Sequence, residues 1–242
     1  KSENWKGPHS THRGSSGPLT INESQSTWPI VDAWIKAAQN GGFSYNSDYN
    51  SGDQEGVGFF QLTADRGLRC SAAKAYLKPI RQRRNLKIYT NTLVKKITLK
   101  DKKAIGVITE RGSTEEHIMA RKEIILSAGS IGSPQLLMVS GIGNAKDLKH
   151  HGVDIKLDLK GVGKNLQDHL QARPIYKVSI PTINTKTRGL WNHISIATQY
   201  AIRRSGPMTL AASLGVAFLK SRPELSNPDI QFHIQPLSAD DP

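Results

Sequence analysis

The chain has 242 residues, a formal net charge of +13, 37% hydrophobic residues and a single cysteine, Cys70. This length can form one large or two ordinary domains, and the composition excludes a disordered protein. One cysteine excludes an intramolecular disulfide and a thiolate metal cluster, and it is compatible with a cytoplasmic protein. The longest nearly apolar run, residues 207–219, is too short to cross a bilayer, so we predict no membrane span.

The basic residues concentrate between positions 81 and 103. A nucleic-acid site would need aromatic side chains or a recognisable motif beside this charge. Tyr89 is the only aromatic residue among them, and no zinc-finger spacing, RNA-binding strand motif or helix-turn-helix signature accompanies them. We therefore predict a solvated strand-and-turn surface, or a face that contacts other parts of a longer chain, and no nucleic-acid partner.

The first half of the chain alternates loops with short elements. Composition predicts a polar loop over residues 1–16 and short strands over 17–21 and 59–62. Apolar residues at helical spacing predict a helix from Trp28 to Gln39, which Gly41 ends. Ser71 is predicted to cap a short helix over 72–77 that stops before Pro79.

From Asn85 the hydrophobic period changes to two. This period predicts a meander of strands joined by charged turns, over residues 86–89, 93–99, 104–109 and 117–120. The apolar run 124–126 does not alternate, which is typical of a strand buried on both faces. After it, Ser133 and Pro134 suit the cap and first position of a helix that Gly141 ends, and Asn144 suits the cap of a second helix.

A buried strand, a small-residue turn and a helix N-terminus thus follow one another over residues 124–138. Small residues in such a turn allow a cofactor or another backbone to come close, and the helix N-terminus carries partial positive charge. Many α/β proteins turn from strand to helix in this way. From the physics alone, packing is favoured over cofactor contact.

The segment from Gly129 to Gly143, GSIGSPQLLMVSGIG, resembles the second signature of the glucose–methanol–choline (GMC) oxidoreductases. The block DLKGVGKNLQDH over 158–169 resembles another hallmark of that family. Further blocks fall in the family's order, over residues 17–19, 56–61, 69–79, 206–209 and 228–236. The resemblance covers nearly the whole chain, and the downstream blocks are similar to those of bacterial alcohol or choline dehydrogenases.

The resemblance implies an α/β fold with an α+β substrate part. A partial Rossmann-like FAD-binding domain would be joined to part of a β-sheet substrate domain. The implied divisions are a loop or lid remnant (1–16), a substrate-domain segment (17–67), a flavin-domain portion (68–168) and an incomplete substrate-domain portion (169–242). The implied chemistry is oxidation of a primary alcohol by hydride transfer to FAD.

Two sets of residues correspond to cofactor positions of the family. Val94 occupies the place of a valine whose backbone contacts the adenine of FAD, although an ordinary strand valine remains the simpler interpretation. The turn Ser127-Ala128-Gly129 resembles the place where the family's chain passes the adenosine half of FAD.

Two features that an active enzyme of this family needs are missing from the sequence. None of the three Gly-x-Gly pairs, which begin at Gly56, Gly141 and Gly161, continues to Gly-x-Gly-x-x-Gly. The catalytic histidine of the family, with its partner His or Asn, would lie beyond Pro242. We therefore predict a middle section of a longer enzyme that holds no catalytic residue and cannot turn over substrate alone.

Two residues bear on the substrate. Leu214 falls where choline-type members carry an acidic residue, and an apolar group cannot neutralise a buried cation. This favours an uncharged primary or aromatic alcohol over choline. His233 alternates with apolar neighbours and is a candidate for the substrate side. The adjacent His150 and His151 sit at a predicted helix end, where a structural role is favoured, so no metal site is predicted.

Three functions remain open at this point. The first is part of an FAD-dependent alcohol dehydrogenase or oxidase with an unspecified electron acceptor. The second is a flavin-containing lyase of the same family, and the third is a non-catalytic basic binding protein on this fold.

Overall fold

The computed structural model describes residues 2–24, 26–211 and 213–238. The strands are β1 (Glu3–Trp5), β2 (Leu19–Glu23), β3 (Gly56–Phe59), β4 (Gln61–Leu62), β5 (Ala64–Asp65), β6 (Leu68–Arg69), β7 (Leu93–Lys100), β8 (Lys103–Arg111), β9 (Thr114–Met119), β10 (Ile142–Gly143), β11 (Leu157–Asp158), β12 (Gly215–Leu219) and β13 (Ile230–Ile234). The α-helices are α1 (Pro29–Asn40), α2 (Gly129–Val139), α3 (Ala145–His150), α4 (Ile183–Lys186) and α5 (Leu190–Arg203). Shorter turns of helix are a π-helical turn at Ala73–Leu77 and 3₁₀ turns at Lys78–Ile80 and Pro207–Thr209.

The chain divides into two compact units. Unit 1 comprises residues 1–86 and 174–242, and unit 2 comprises residues 87–173. The predicted flavin-domain portion began at residue 68, whereas residues 68–86 group with unit 1. Which unit serves the flavin and which the substrate stays a prediction.

The core of unit 1 lies between α1 and the antiparallel sheet β13-β12-β3. The predicted helix is confirmed: Pro29 occupies its first turn, and the Gly41 N–H closes its end by donating to the carbonyl of Ala37. Val31 and Ile35 recur on one face at a spacing of four and are both buried against the sheet. Burying side chains of this size stabilises the unit by about 1.5–3 kcal/mol each.

Two predictions for the first half of the chain were wrong. Residues 1–16 are not one loop, because β1 pairs in parallel with β2. The strand predicted over 59–62 is broken at Phe60, since β3 ends at Phe59 in one sheet and β4 begins at Gln61 in another. The Phe60 N–H donates to the Leu214 carbonyl, so this residue is the crossing point between the two sheets.

Unit 2 is built on the meander β7-β8-β9, with α2 packed against β7. Three of the four predicted strands are confirmed, with slightly different bounds. Residues 86–89 form no strand, since no described segment pairs with them. Asn144 caps α3 as predicted, with its side-chain oxygen accepting from the Lys146 and Asp147 N–H groups.

The buried strand predicted over residues 124–126 is absent from the described structure. This segment is irregular, no described strand lies beside it, and Ile125 is 79% exposed. A strand needs neighbours to satisfy its backbone N–H and C=O groups, and an apolar run supplies none of them by itself. The apolar run therefore did not by itself specify a strand.

The start of α2 was also predicted wrongly. The helix begins at Gly129, with Ala128 as its cap, and Pro134 lies inside it. Ser133 is helical, and its hydroxyl accepts a hydrogen bond from the Ala128 N–H at 3.0 Å. This bond supplies an acceptor for one of the first amides, which the helix itself leaves unpaired.

Among the described residues, no helix is both long and apolar enough to cross a membrane.

Candidate functional site

The turn before α2 is open to solvent. Ser127, Ala128 and Gly129 are all exposed, and Gly129 has a φ of +84° with nothing within 4 Å of where a Cβ would stand. The turn therefore leaves its backbone accessible at the N-terminus of an 11-residue helix, where the first N–H groups point outward. This arrangement fits the close approach of a cofactor's polar groups to the main chain.

The end of the same signature has a structural role. The Ser140 hydroxyl accepts from the Ile97 N–H of β7 and donates to the Leu136 carbonyl of α2. Gly141 follows with a φ of +90°, and a Cβ there would lie 2.4 Å from the carbonyl oxygen of Asp154. Ser140 and Gly141 therefore fix α2 in place, while Ser127 to Gly129 leave its other end open.

Val94 is the second residue of β7, near the end of the strand that lies away from the turn to β8. It pairs with Thr109 of β8, and the register shifts between Val94 and Lys96. Its side chain is partly exposed, and the described part of the chain pairs β7 with a strand on one side only. Val94 and the 127–129 turn both belong to unit 2, so the two predicted cofactor segments share one compact body.

His233 lies on β13 in unit 1, on the sheet face opposite α1. Its neighbour Ile234 packs against the core, and alternation along the strand directs His233 the other way. There its imidazole centroid lies 4.9 Å from that of Phe60, and the side chain is exposed. Tyr49 packs against both Phe60 and Phe218. We call Tyr49, Phe60, Phe218 and His233 the ring layer.

The phenol of Tyr49 joins the ring layer to the backbone of β4. Its oxygen accepts the Gln61 N–H at 3.0 Å. Burial raises the pKa of Tyr49 above its ordinary value of 10.0, and the hydrogen bond from Gln61 offsets this only in part. The phenol is therefore protonated at neutral pH and keeps an O–H that can donate.

Leu214 is completely buried in the core of unit 1, beside Val31 and Val57. Its N–H donates to the carbonyl of Ile234 at 3.1 Å, so its backbone lies next to that of His233. The structure thus brings the two substrate-side candidates onto neighbouring backbone segments, since Leu214 directly precedes β12 and His233 lies on β13. Their side chains lie in different environments, because that of Leu214 is buried in the core whereas that of His233 is exposed.

Sequence reasoning missed an ion-pair cluster around Arg13, in the segment predicted to be a loop. The Arg13 side chain is 3% exposed and donates to Glu3 at 2.6 Å and to Asp48 at 2.5 Å. It also donates to the side-chain oxygen of Gln61 at 2.8 Å and lies 4.1 Å from the ring centroid of Trp5. These partners lie up to 48 positions away, so no local pattern could have revealed them. We call these five residues the Arg13 cluster.

A cleft of about 370 Å³ borders this cluster. Its lining residues are Glu3, His12, Arg13, Ile21, Asn50, Gln61 and Thr63. Across the described ranges, this cleft included, no group of three or more His, Cys, Asp or Glu residues is arranged to hold a metal ion.

Comparison with known sequences gives one consistent picture. Residues 3–171 match the family model described as GMC oxidoreductase. The chain is 39% identical over 236 residues to an oxygen-dependent choline dehydrogenase of Brucella anthropi, covering 98% of this chain and 43% of that protein. It is 39% identical over 241 residues to the oxygen-dependent choline dehydrogenase of Photobacterium profundum, covering 98% of this chain and 42% of that protein.

The fold of the chain is similar to the folds of solved oxidoreductase structures. Pyridoxine 4-oxidase from Mesorbium loti matches with a TM-score of 0.81 at 26% identity, covering 97% of this chain and 42% of that one. An FAD-dependent oxidoreductase from Chaetomium thermophilum matches with a TM-score of 0.78 at 27% identity, covering 90% of this chain and 41% of that one. The chain therefore spans less than half the length of the relatives it matches, and its fold is a partial α/β FAD-binding type. On the family match over residues 3–171, this chain belongs to the GMC oxidoreductases.

Proposed function

We propose that this chain is part of an FAD-dependent oxidoreductase that oxidises an uncharged primary or aromatic alcohol at its CH–OH group. The observation that carries the proposal is the family match over residues 3–171, since FAD is the cofactor of that family. The open backbone of the 127–129 turn supports it, because a cofactor could approach there without displacing a side chain.

On the cofactor side, the groups that would hold FAD are main-chain groups of unit 2. Main-chain groups of the 127–129 turn would hold the adenosine half, although the Ala128 N–H already donates to the Ser133 hydroxyl. The backbone of Val94 would contact the adenine edge. When bound, FAD supplies the two-electron acceptor for oxidation of the alcohol. The residues named here bind and orient, and the base that takes the hydroxyl proton is expected beyond Pro242.

On the substrate side, His233 is the residue that would meet the alcohol. A neutral imidazole has one nitrogen that donates and one that accepts, so it can hold an alcohol oxygen in place. Phe60 beside it offers an apolar surface for the rest of the substrate. Leu214 stands at the position that corresponds to the acidic residue of choline-type members and is apolar, which supports an uncharged alcohol even though the relatives named above are choline dehydrogenases.

The two compact units fit a separation of flavin binding from substrate binding. Unit 2 would serve the flavin and unit 1 the substrate. The single cysteine in the sequence supports a cytoplasmic location.

The proposal is tested with the complete polypeptide encoded around this sequence. Purified protein is given an artificial electron-accepting dye and a panel of neutral primary alcohols, aromatic alcohols and choline. We expect dye reduction with neutral alcohols at a higher kcat/KM than with choline. Faster oxidation of choline would refute the substrate class, and cleavage of a substrate without dye reduction would indicate a lyase.

A further inference from the structure

The Arg13 cluster and the ring layer are connected through adjacent residues of the chain. Arg13 donates to Asp48 and to Gln61. Asp48 directly precedes Tyr49, and Gln61 directly follows Phe60. The same guanidinium therefore holds both residues that flank the Tyr49–Phe60 ring pair.

Further hydrogen bonds make this connection stiff. The Gln61 side-chain amide donates to Asp48 at 2.8 Å, and the Gln61 main-chain N–H donates to the Tyr49 phenol at 3.0 Å. The Asn50 amide also donates to the Gln61 side-chain oxygen, at 2.9 Å. The segments 48–50 and 60–61 are thus joined to each other as well as to Arg13. A fully satisfied polar network of this kind holds its members in one arrangement.

The other side of Arg13 is fixed by strand β1. The Glu3 carboxylate accepts from two nitrogens of the guanidinium and from the Gly14 N–H, and the Trp5 ring stacks over the guanidinium. Only arginine supplies a planar fork that can bind a carboxylate in this way and stack at the same time. A lysine would keep the charge and lose the geometry.

Resting on the proposed function, we propose that Arg13 is a positioning residue for the substrate-side face. Through Asp48 and Gln61 it fixes Tyr49 and Phe60, and through the Phe60 ring it sets the orientation of His233. In the described part of the chain, the side-chain partners of Arg13 are Glu3, Asp48, Gln61 and Trp5, and His233 is not among them. Its effect on the reaction therefore comes entirely through the ring layer.

The first test needs no activity. The His233 imidazole resonances are measured by NMR in the 242-residue chain, in Arg13→Met and in the control Arg222→Met. Arg222 pairs with Glu224 at 3.7 Å on an exposed surface, so the control removes an arginine and an ion pair elsewhere in unit 1. We expect the His233 resonances to move in Arg13→Met, to move less in Arg13→Lys, and to stay in place in Arg222→Met. Unchanged resonances in a folded Arg13→Met protein would overturn the proposal.

A second variant covers the case in which Arg13→Met does not fold. Gln61→Leu keeps both ion pairs of Arg13 and removes the amide that connects Arg13, Asp48 and Asn50. We expect a shift of the His233 resonances in this variant, and none would contradict the connection through Gln61.

In the complete enzyme, Arg13→Met should lower kcat by about 10²-fold with a smaller change in KM, because misplacing a group by about 1 Å costs this much. If His233 responds by NMR but His233→Ala leaves alcohol oxidation intact, the positioning stands and the proposed substrate-binding role of His233 fails. If His233→Ala abolishes oxidation and the Arg13 variants leave both resonances and kcat unchanged, the positioning fails alone.

Discussion

The Ile97 N–H donates to the Ser140 hydroxyl at 2.8 Å, and the Ser140 side chain in turn donates to the Leu136 carbonyl at 2.6 Å. Ser140 is 1% exposed, so water cannot replace it as a partner for the Ile97 N–H. The outer edge of β7 would otherwise leave this buried donor unpaired. One hydroxyl thus joins the C-terminal end of α2 to the meander of unit 2.

Ser140→Ala should therefore lower the free energy of unfolding by about 1–3 kcal/mol, the cost of leaving a buried donor unsatisfied. Urea denaturation followed by circular dichroism measures this. The control is Ser133→Ala, which removes a hydrogen bond of similar length at an exposed position. An equal loss in both variants would mean that burial of Ser140 does not matter.

Gly141 should tolerate alanine less well than Gly152, although both have positive φ angles of +90° and +68°. A Cβ at Gly141 would lie 2.4 Å from the Asp154 carbonyl oxygen, whereas nothing lies within 4 Å of one at Gly152. Gly152→Ala should cost about 1–2 kcal/mol from the left-handed backbone alone. Gly141→Ala should exceed this by more than about 1 kcal/mol because of the added clash. Equal midpoints in urea would contradict the clash.

Leu214→Ala should destabilise unit 1 by about 2–5 kcal/mol, since the leucine is completely buried and its loss leaves a cavity. The matched control is Leu190→Ala, at a leucine that is 71% exposed, where a change within about 0.5 kcal/mol is expected. Thermal unfolding of both variants measures the difference. A small effect at Leu214 would place it outside the core.

Glu3 should make unit 1 sensitive to acid. Burial raises the pKa of Glu3, but the hydrogen bonds from Arg13 and the Gly14 N–H, with the charge of Arg13, bring it below its ordinary value of 4.5. The folded state therefore favours the charged carboxylate. The resulting stability is complete above pH 4.5 and is lost as the pH falls from there through the lower folded pKa.

Glu3→Gln should accordingly flatten the decline in stability below pH 4.5. Urea midpoints measured from pH 7 to pH 3 test this, with the exposed Glu224→Gln as control. We expect the control to keep the wild-type decline. A Glu3→Gln protein with an unchanged acid slope would show that the ion pair with Arg13 contributes nothing to folding.

Sequence patterns predicted the elements whose signals are local. The helix α1 and the cap at Asn144 depend on residues within one or two turns, and both are confirmed. The exposed run at 124–126 was predicted wrongly because strand formation depends on neighbours that the run itself cannot specify. The Arg13 cluster was invisible for the same reason, since its partners come from positions 3, 5, 48 and 61.

The family resemblance predicted more of the candidate site than the hydrophobic periodicity did. It identified the 127–129 turn as a cofactor segment, whereas physics alone favoured a packing role. The accessible backbone at Gly129 fits the cofactor interpretation. The proposed contacts of Val94 and the 127–129 turn with FAD, and of His233 with an alcohol, stay predictions.

Anaerobic mixing of the complete purified polypeptide with a neutral primary or aromatic alcohol tests whether the protein oxidises such alcohols through a bound FAD. The flavin absorbance band in the visible region is followed over time, with choline as the comparison substrate. We expect a protein that carries FAD and whose visible band bleaches faster with the neutral alcohol than with choline. A protein that binds no flavin, or a bound flavin that no alcohol reduces, would contradict it.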